Sequence, residues 1–387
     1  VPEAVILSRA RTPIGRARKG SLVDVDAFEL ARLAVGAAIE RSGVPVAELD
    51  DIVVAESLQG GGVIARYIAV QLGLIGVPGL ADNRHCAAGL SAVQIASGSI
   101  RAGMDRAVVA GGTESLSSSP AVMKSFPASA RNPVPWMSPS HVETPDAPAF
   151  DMSITVGENT AREAGISRHV SDEWALQSHQ RALKSIANGW FDEEIIPVAL
   201  PGGGVFTTDE HPRADSSLER LAALPALHPE LDGATVTAGN AAGINDAAAA
   251  LVVASDEFAA AHGLQPLARI RSWASVGVEP GRTGMAPVTA IPKAIARAGL
   301  QLSDIELFEI NEAFCSVAIA ATKILGLDPE NVNANGSGCG LGHPIAATGA
   351  RMVVTMIGEL ERRDATIGCV SMCAGGGMGS ALVLERL

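Results

Sequence analysis

Aromatic side chains are nearly missing from this chain: one Tyr, four Trp and eight Phe serve 387 residues. A core built on large rings is excluded, so it must come from Ala, Val, Ile and Leu, as in close-packed α/β proteins. Positive charge is also short. Lys and Arg number 29 against 42 Asp and Glu, a net −13, which argues against nucleic-acid binding. An anionic ligand stays open, since a few local basic residues can hold phosphates. No apolar run reaches membrane-spanning length, so no membrane segment is expected. Cysteine is sparse and odd in number (86, 315, 339, 369 and 373), with no framework spacing. That excludes a disulfide scaffold and points to reduced thiols. No secretory leader is visible before the apolar run Ala4–Ser8, and a cytoplasmic location is expected.

What is present suits a large globular protein: 47% hydrophobic and 18% charged residues, in a chain long enough for two or three units. An internal repeat is legible. Residues 37–54 and 293–310 both run helix, Gly stop, acidic turn, apolar strand. Gly43 pairs with Gly299, Val46 with Leu302 and Leu49 with Ile305, all at one offset. Strand–helix alternation predicts largely parallel sheets with helices on both faces. Between the copies, residues 117–150 are rich in Ser and Pro and read as loop. Residues 157–190 read as helices with Ser171 as an N-cap, and Gly202–Gly204 as a turn.

Three segments carry chemistry. In Cys-Val-Ser-Met-Cys-Ala-Gly-Gly-Gly-Met-Gly (369–379), an apolar strand ends in a thiol followed by three glycines, whose N–H groups can approach a ligand closely. In 82–90, Cys86 immediately precedes a small-residue helix spanning 87–99, where the helix dipole favours thiolate over thiol. In 340–349, His343 lies in a glycine-rich turn, and Pro344 suits a first helical position. A single cysteine is by default a small buried hydrophobe, which is the reading for Cys369. The turns at 86, 343 and 373 together offer a nucleophile, a base and a second thiol. A pseudo-twofold pairing of the copies would bring the helix starts at 86 and 343 into one site. Cys369, Cys373 and His343 could ligate zinc, but no second Cys pair completes a structural site, and a ligated thiolate would be lost to catalysis, so no metal is expected. The glycines of 336–342 lack dinucleotide-binding spacing.

The motifs Arg-Thr-Pro-Ile-Gly (11–15), Gly-Gly-Thr-Glu-Ser (111–115), Thr-Ala-Gly-Asn-Ala-Ala-Gly-Ile-Asn-Asp (237–246), Asn-Glu-Ala-Phe (311–314), Gly-His-Pro (342–344) and the two cysteine turns occur in one order across nearly the whole chain. In these the sequence resembles the thiolases, which interconvert 3-ketoacyl-CoA plus CoA with two shorter acyl-CoAs. The resemblance implies a duplicated, five-layered αβαβα fold with an inserted loop domain. The halves would be 1–115 with 233–262, and 263–387; residues 116–232 would cover CoA. It implies Cys86 as nucleophile, His343 as base and oxyanion donor, and Cys373 as the acid–base at the α-carbon. Asn311 would hold a water, and Gly375 would donate its amide to the acyl oxyanion. Arg213, Ala242, Gly243, Ala313 and Phe314 are the implied substrate contacts. CoA would enter as a substrate with no tightly bound cofactor, and the assembly would be a homo-oligomer, dimer or tetramer.

Several positions depart from the family pattern. Ala242 stands for a common Ser, Cys339 is introduced near the site, and Ala346 and Met285-Ala286-Pro287 stand where Gly is usual. The Met152 region lacks a His-Met pair. These put the substrate in doubt rather than the reaction class. A ketosynthase-like condensing enzyme and a non-catalytic acyl-CoA binder remain the alternatives.

Overall fold

The apolar strand-like run at the start of the chain becomes β1 (Ala4–Arg11), which is buried along its whole length. The computed structural model describes residues 1–59, 61–125 and 133–387. The remaining strands are β2 (Gly15–Arg16), β3 (Asp51–Ala55), β4 (Leu80–Asp82), β5 (Ala107–Ser115), β6 (Met123–Lys124), β7 (Val134–Pro135), β8 (Val198–Ala199), β9 (Val205–Phe206), β10 (Asn245–Ser255), β11 (Ala268–Gly277), β12 (Leu307–Ile310), β13 (Ile367–Ala374) and β14 (Met378–Arg386). The helices are α1 (Ala27–Ser42), α2 (Ile64–Gln71), α3 (Ala88–Arg101), α4 (Asn159–Ala164), α5 (Arg168–Ala187), α6 (Leu218–Ala222), α7 (Asp256–Ala261), α8 (Ala286–Arg297), α9 (Cys315–Leu325), α10 (Gly338–Leu341) and α11 (Ile345–Arg362).

One sheet runs β12-β13-β14-β11-β1-β10-β5-β3-β4. Its two halves meet where β1 pairs with β11 at Val5–Arg269 and Ile6–Ala268. The repeat is real in three dimensions. Helix α1 stops at Gly43 in the left-handed region, a short 3₁₀ turn (Val46–Glu48) follows, and then β3. Helix α8, Gly299, the turn Leu302–Asp304 and β12 repeat that path. The expectation of largely parallel sheets is corrected. Only β3–β4, β3–β5 and β12–β13 are parallel among the described strands, while β1, β10, β11 and β14 pair antiparallel with their neighbours. In the second half β13 and β14 are joined directly, without a crossover helix, and such a connection reverses direction; in the first half β10 comes back from the inserted region to run antiparallel to β5.

Helices α3 and α11 are sandwiched between the half-sheets, and α3 and α11 share one core with Ile6, Leu251, Val370 and Leu382. On the outer faces, α1 and α2 cover one half and α8 and α9 the other. Five layers result. The helix starts approach so closely that only glycine fits: a Cβ on Gly89 would lie 2.3 Å from the Ala346 carbonyl oxygen, and one on Gly349 2.3 Å from the Leu90 nitrogen. This contact sets the turns before α3 and α11 side by side.

In the inserted region, β6–β7 and β8–β9 are two-residue ribbons, the latter flanking the Gly202–Gly204 turn. Ser167, not Ser171, caps α5, accepting from the Val170 amide, while Ser171 is buried inside the helix. Arg11, from the first sequence motif, is fully buried and fastens this region to β1. Its Nε donates to Glu194 at 2.6 Å, and its two terminal nitrogens donate to both oxygens of Asp209 at 2.8 and 2.9 Å. Arg11→Met strands two buried carboxylates. We expect a loss of about 3–5 kcal/mol in chemical denaturation; a change under about 1 kcal/mol would show that the cluster relaxes or hydrates.

Candidate active site

The first turn is tight. The Ala87 amide donates to the Arg84 carbonyl at 3.1 Å and the Ala88 amide to that of His85 at 3.0 Å. His85 sits at φ 47°, a region few non-glycine residues visit. Cys86, next in the chain, is half-buried against the inner core. Its own amide and that of Gly375 both point at its sulfur. The expected preference for thiolate is corrected. Burial pushes the thiol up to about 11, with the Glu114 carboxylate adding to it, and the two amides recover only a part. Resting Cys86 is therefore a thiol that needs a base.

His343 is buried in the turn before α11. Gly342 reaches φ 106° there, and the His343 amide donates to Asn245 Oδ1 at 3.0 Å. Pro344 stands just before the helix, as its cap residue, rather than at its first position. The ring Nδ1 lies 2.7 Å from Thr348 Oγ1, which leaves Nε2 for chemistry. Burial, then the positive charge of Arg351, lowers the imidazole to about 3, so the ring is neutral at rest. Asn311 follows β12. Its Nδ2 lies 3.5 Å from both ring nitrogens, and its buried Oδ1 has no partner among the described residues. An orphaned acceptor of this kind fits a bound water. Cys373 is the next-to-last residue of β13, packed with Val156, Val317, Met152, Ala313 and Phe314. Burial and the neighbouring Cys86 both raise its thiol well above the ordinary range.

The five implied substrate contacts divide into two places. Ala313 and Phe314 lie against Cys373, and Ala242 joins them through its amide, which donates to the Ala313 carbonyl at 3.0 Å. Arg213 and Gly243 instead line a pocket of about 530 Å³ with His179, His211, Arg220 and Cys339. No local pattern singles out His179 and His211. They are distant in the chain, and burial lowers them to about 4 and about 3. Glu114, within the Gly-Gly-Thr-Glu-Ser motif, accepts from the Leu58 amide, Gln59 Nε2 and the Ala346 amide, tying β5 to the start of α11. Beside the Met152 region, His228 Nε2 lies 3.2 Å from Asp151 and 2.7 Å from Ser153 Oγ.

A thiol under two converging amides, a neutral buried imidazole and a second thiol from the adjoining strand define a thiol-based acyl-transfer centre in a duplicated α/β fold. Residues 4–257 match the family model described as thiolase, N-terminal domain, and residues 264–386 match thiolase, C-terminal domain. Acetyl-CoA acetyltransferase of Escherichia coli is 42% identical, with 99% of each chain covered. The crystal structure of the Bacillus anthracis acetyl-CoA acetyltransferase superposes with a TM-score of 0.90 at 39% identity, covering 100% of this chain and 99% of that one. Human mitochondrial 3-ketoacyl-CoA thiolase gives 0.91 at 31%, with the same coverage. The chain belongs to the thiolase family.

Proposed function

We propose that this chain is an acyltransferase that cleaves 3-ketoacyl-CoA with CoA, or runs the reverse condensation, through an acyl-cysteine. The observation that carries the reading is the convergence of the Cys86 and Gly375 amides on the Cys86 sulfur, with Cys373 beside it. His343 takes the Cys86 proton, and the sulfur attacks the 3-keto carbon. The carbon–carbon bond breaks, its electron pair goes to the α-carbon of the departing acetyl-CoA, and Cys373 supplies the proton there. Asn311, its water and His343 hold the developing oxyanion of the substrate thioester. The acyl carbonyl on Cys86 sits on the Cys86 and Gly375 amides. CoA then gives its thiol proton to the Cys373 thiolate, its sulfur attacks the acyl carbonyl, and Cys86 leaves, taking back its proton from His343.

In this reading residues 116–232 close over CoA between the halves 1–115 with 233–262 and 263–387. Arg213, Ala242, Gly243, Ala313 and Phe314 contact it, and no other cofactor is held. The enzyme works as a homo-oligomer in the cytoplasm. Among the described residues no helix is long and apolar enough to cross a membrane.

Ala242 cannot give the pantetheine arm the hydrogen bond of a serine, worth roughly 0.5–1.5 kcal/mol. About two extra buried methylenes, at roughly 0.8 kcal/mol each, offset that. We therefore expect kcat/KM to be higher for an eight-carbon or branched 3-ketoacyl-CoA than for acetoacetyl-CoA in a thiolysis panel. A clear preference for the four-carbon substrate would contradict this and mark the chain as an acetoacetyl-CoA enzyme.

A further inference from the structure

We propose that His85 selects the acyl group, donating a hydrogen bond to an oxygen-bearing tail, so that this enzyme favours 3-ketoacyl-CoAs whose chain ends in a hydroxyl or carboxylate. The inference rests on Cys86 being the acylated residue.

If the acyl carbonyl sits on the amides of Cys86 and Gly375, its tail must leave along the wall beside Gly375. Three side chains form that wall. A methyl placed on Gly375 would lie 3.8 Å from His85 Cγ, 3.8 Å from Met152 Sδ and 3.7 Å from Ser140 Cβ. Met152 continues the apolar lining around Cys373. Ser140 is already engaged, at 2.8 Å from His141 Nδ1 and 3.4 Å from the Ala149 carbonyl.

His85 is different. Its ring is half-buried and, among the described residues, makes no hydrogen bond; its bonds are all backbone, the amide donating to Asn83 Oδ1 at 2.8 Å and the carbonyl accepting from the Ala88 amide at 3.0 Å. The position at φ 47° fixes where the ring goes. Burial lowers its proton affinity, so the neutral ring keeps one N–H to donate. An alkyl tail laid against it would cover that N–H without a partner, whereas a tail oxygen would satisfy it. A site with a polar group awaiting substrate discriminates against analogues that lack the matching atom.

The test compares kcat/KM for two six-carbon 3-ketoacyl-CoAs, one ending in a methyl and one in a carboxylate, with an ω-hydroxy analogue as the third probe. The wild type should favour the oxygen-bearing tails by about tenfold, the usual worth of one hydrogen bond. His85→Leu should erase that preference and leave the methyl-ended substrate within about threefold, and His85→Gln should restore part of it. Should Leu not fold at this backbone angle, His85→Asn tolerates it and lacks the reach. A wild-type preference for the methyl-ended chain, or equal loss on all substrates in the variants, overturns the proposal. Acetyl-CoA labelling of Cys86, read by mass, separates the two levels. With labelling intact, a failed selectivity test overturns only the role of His85. Without labelling in the wild type, the acyl-cysteine reading falls and this inference with it.

Discussion

Cys86→Ala should lose thiolysis by at least about 10⁴-fold, since no other group can carry the acyl intermediate. The fold should survive. Alanine keeps the Cβ in a half-buried position that only borders the inner core, so the void is small. Brief incubation with acetyl-CoA should add an acetyl mass to the Cys86 peptide of the wild type and nothing to the variant. Substantial residual turnover in a folded variant would rule out Cys86 as the nucleophile.

Cys373→Ala should separate the half-reactions. Acylation of Cys86 needs His343 and the two amides, none of which the substitution removes. Condensation needs a group to take the α-proton, and its loss should cost about 10²–10⁴-fold, the usual scale of acid–base catalysis. Cys373 lies among Val156, Val317, Met152 and Phe314, where alanine leaves only a small apolar gap. Acyl transfer measured by labelling and condensation measured by acetoacetyl-CoA formation should therefore diverge. Equal loss of both would make Cys373 a packing residue.

The turns that carry Cys86, His343 and Cys373 were legible because each is local: a thiol or imidazole against glycine or a helix start. The repeat was legible because Gly43 and Gly299 stop helices in the same way. Strand direction was not, since β10 and β14 are apolar on both faces and look alike in either orientation. Ser167 and Ser171 are equally good caps in isolation, and only the packing of α5 chooses between them. The Cys86 thiol was misjudged for a related reason. A helix start acts over one turn, whereas desolvation comes from both half-sheets at once. The pocket with His179 and His211 draws on segments that no local pattern connects.

The position of β10 between β1 and β5 governs synthesis of this protein as well as its final form. β1 and β5 leave the ribosome early, but the strand that separates them follows about 130 residues of inserted chain. At roughly 5–20 residues per second, that is a wait on the order of ten seconds. Throughout it β1 has neither of its partners, β10 and β11, and β5 has one open edge, so three unpaired strand edges can each template the wrong partner. The central strand of the half is thus the last to be made, and the half cannot be completed before the chain has passed residue 255.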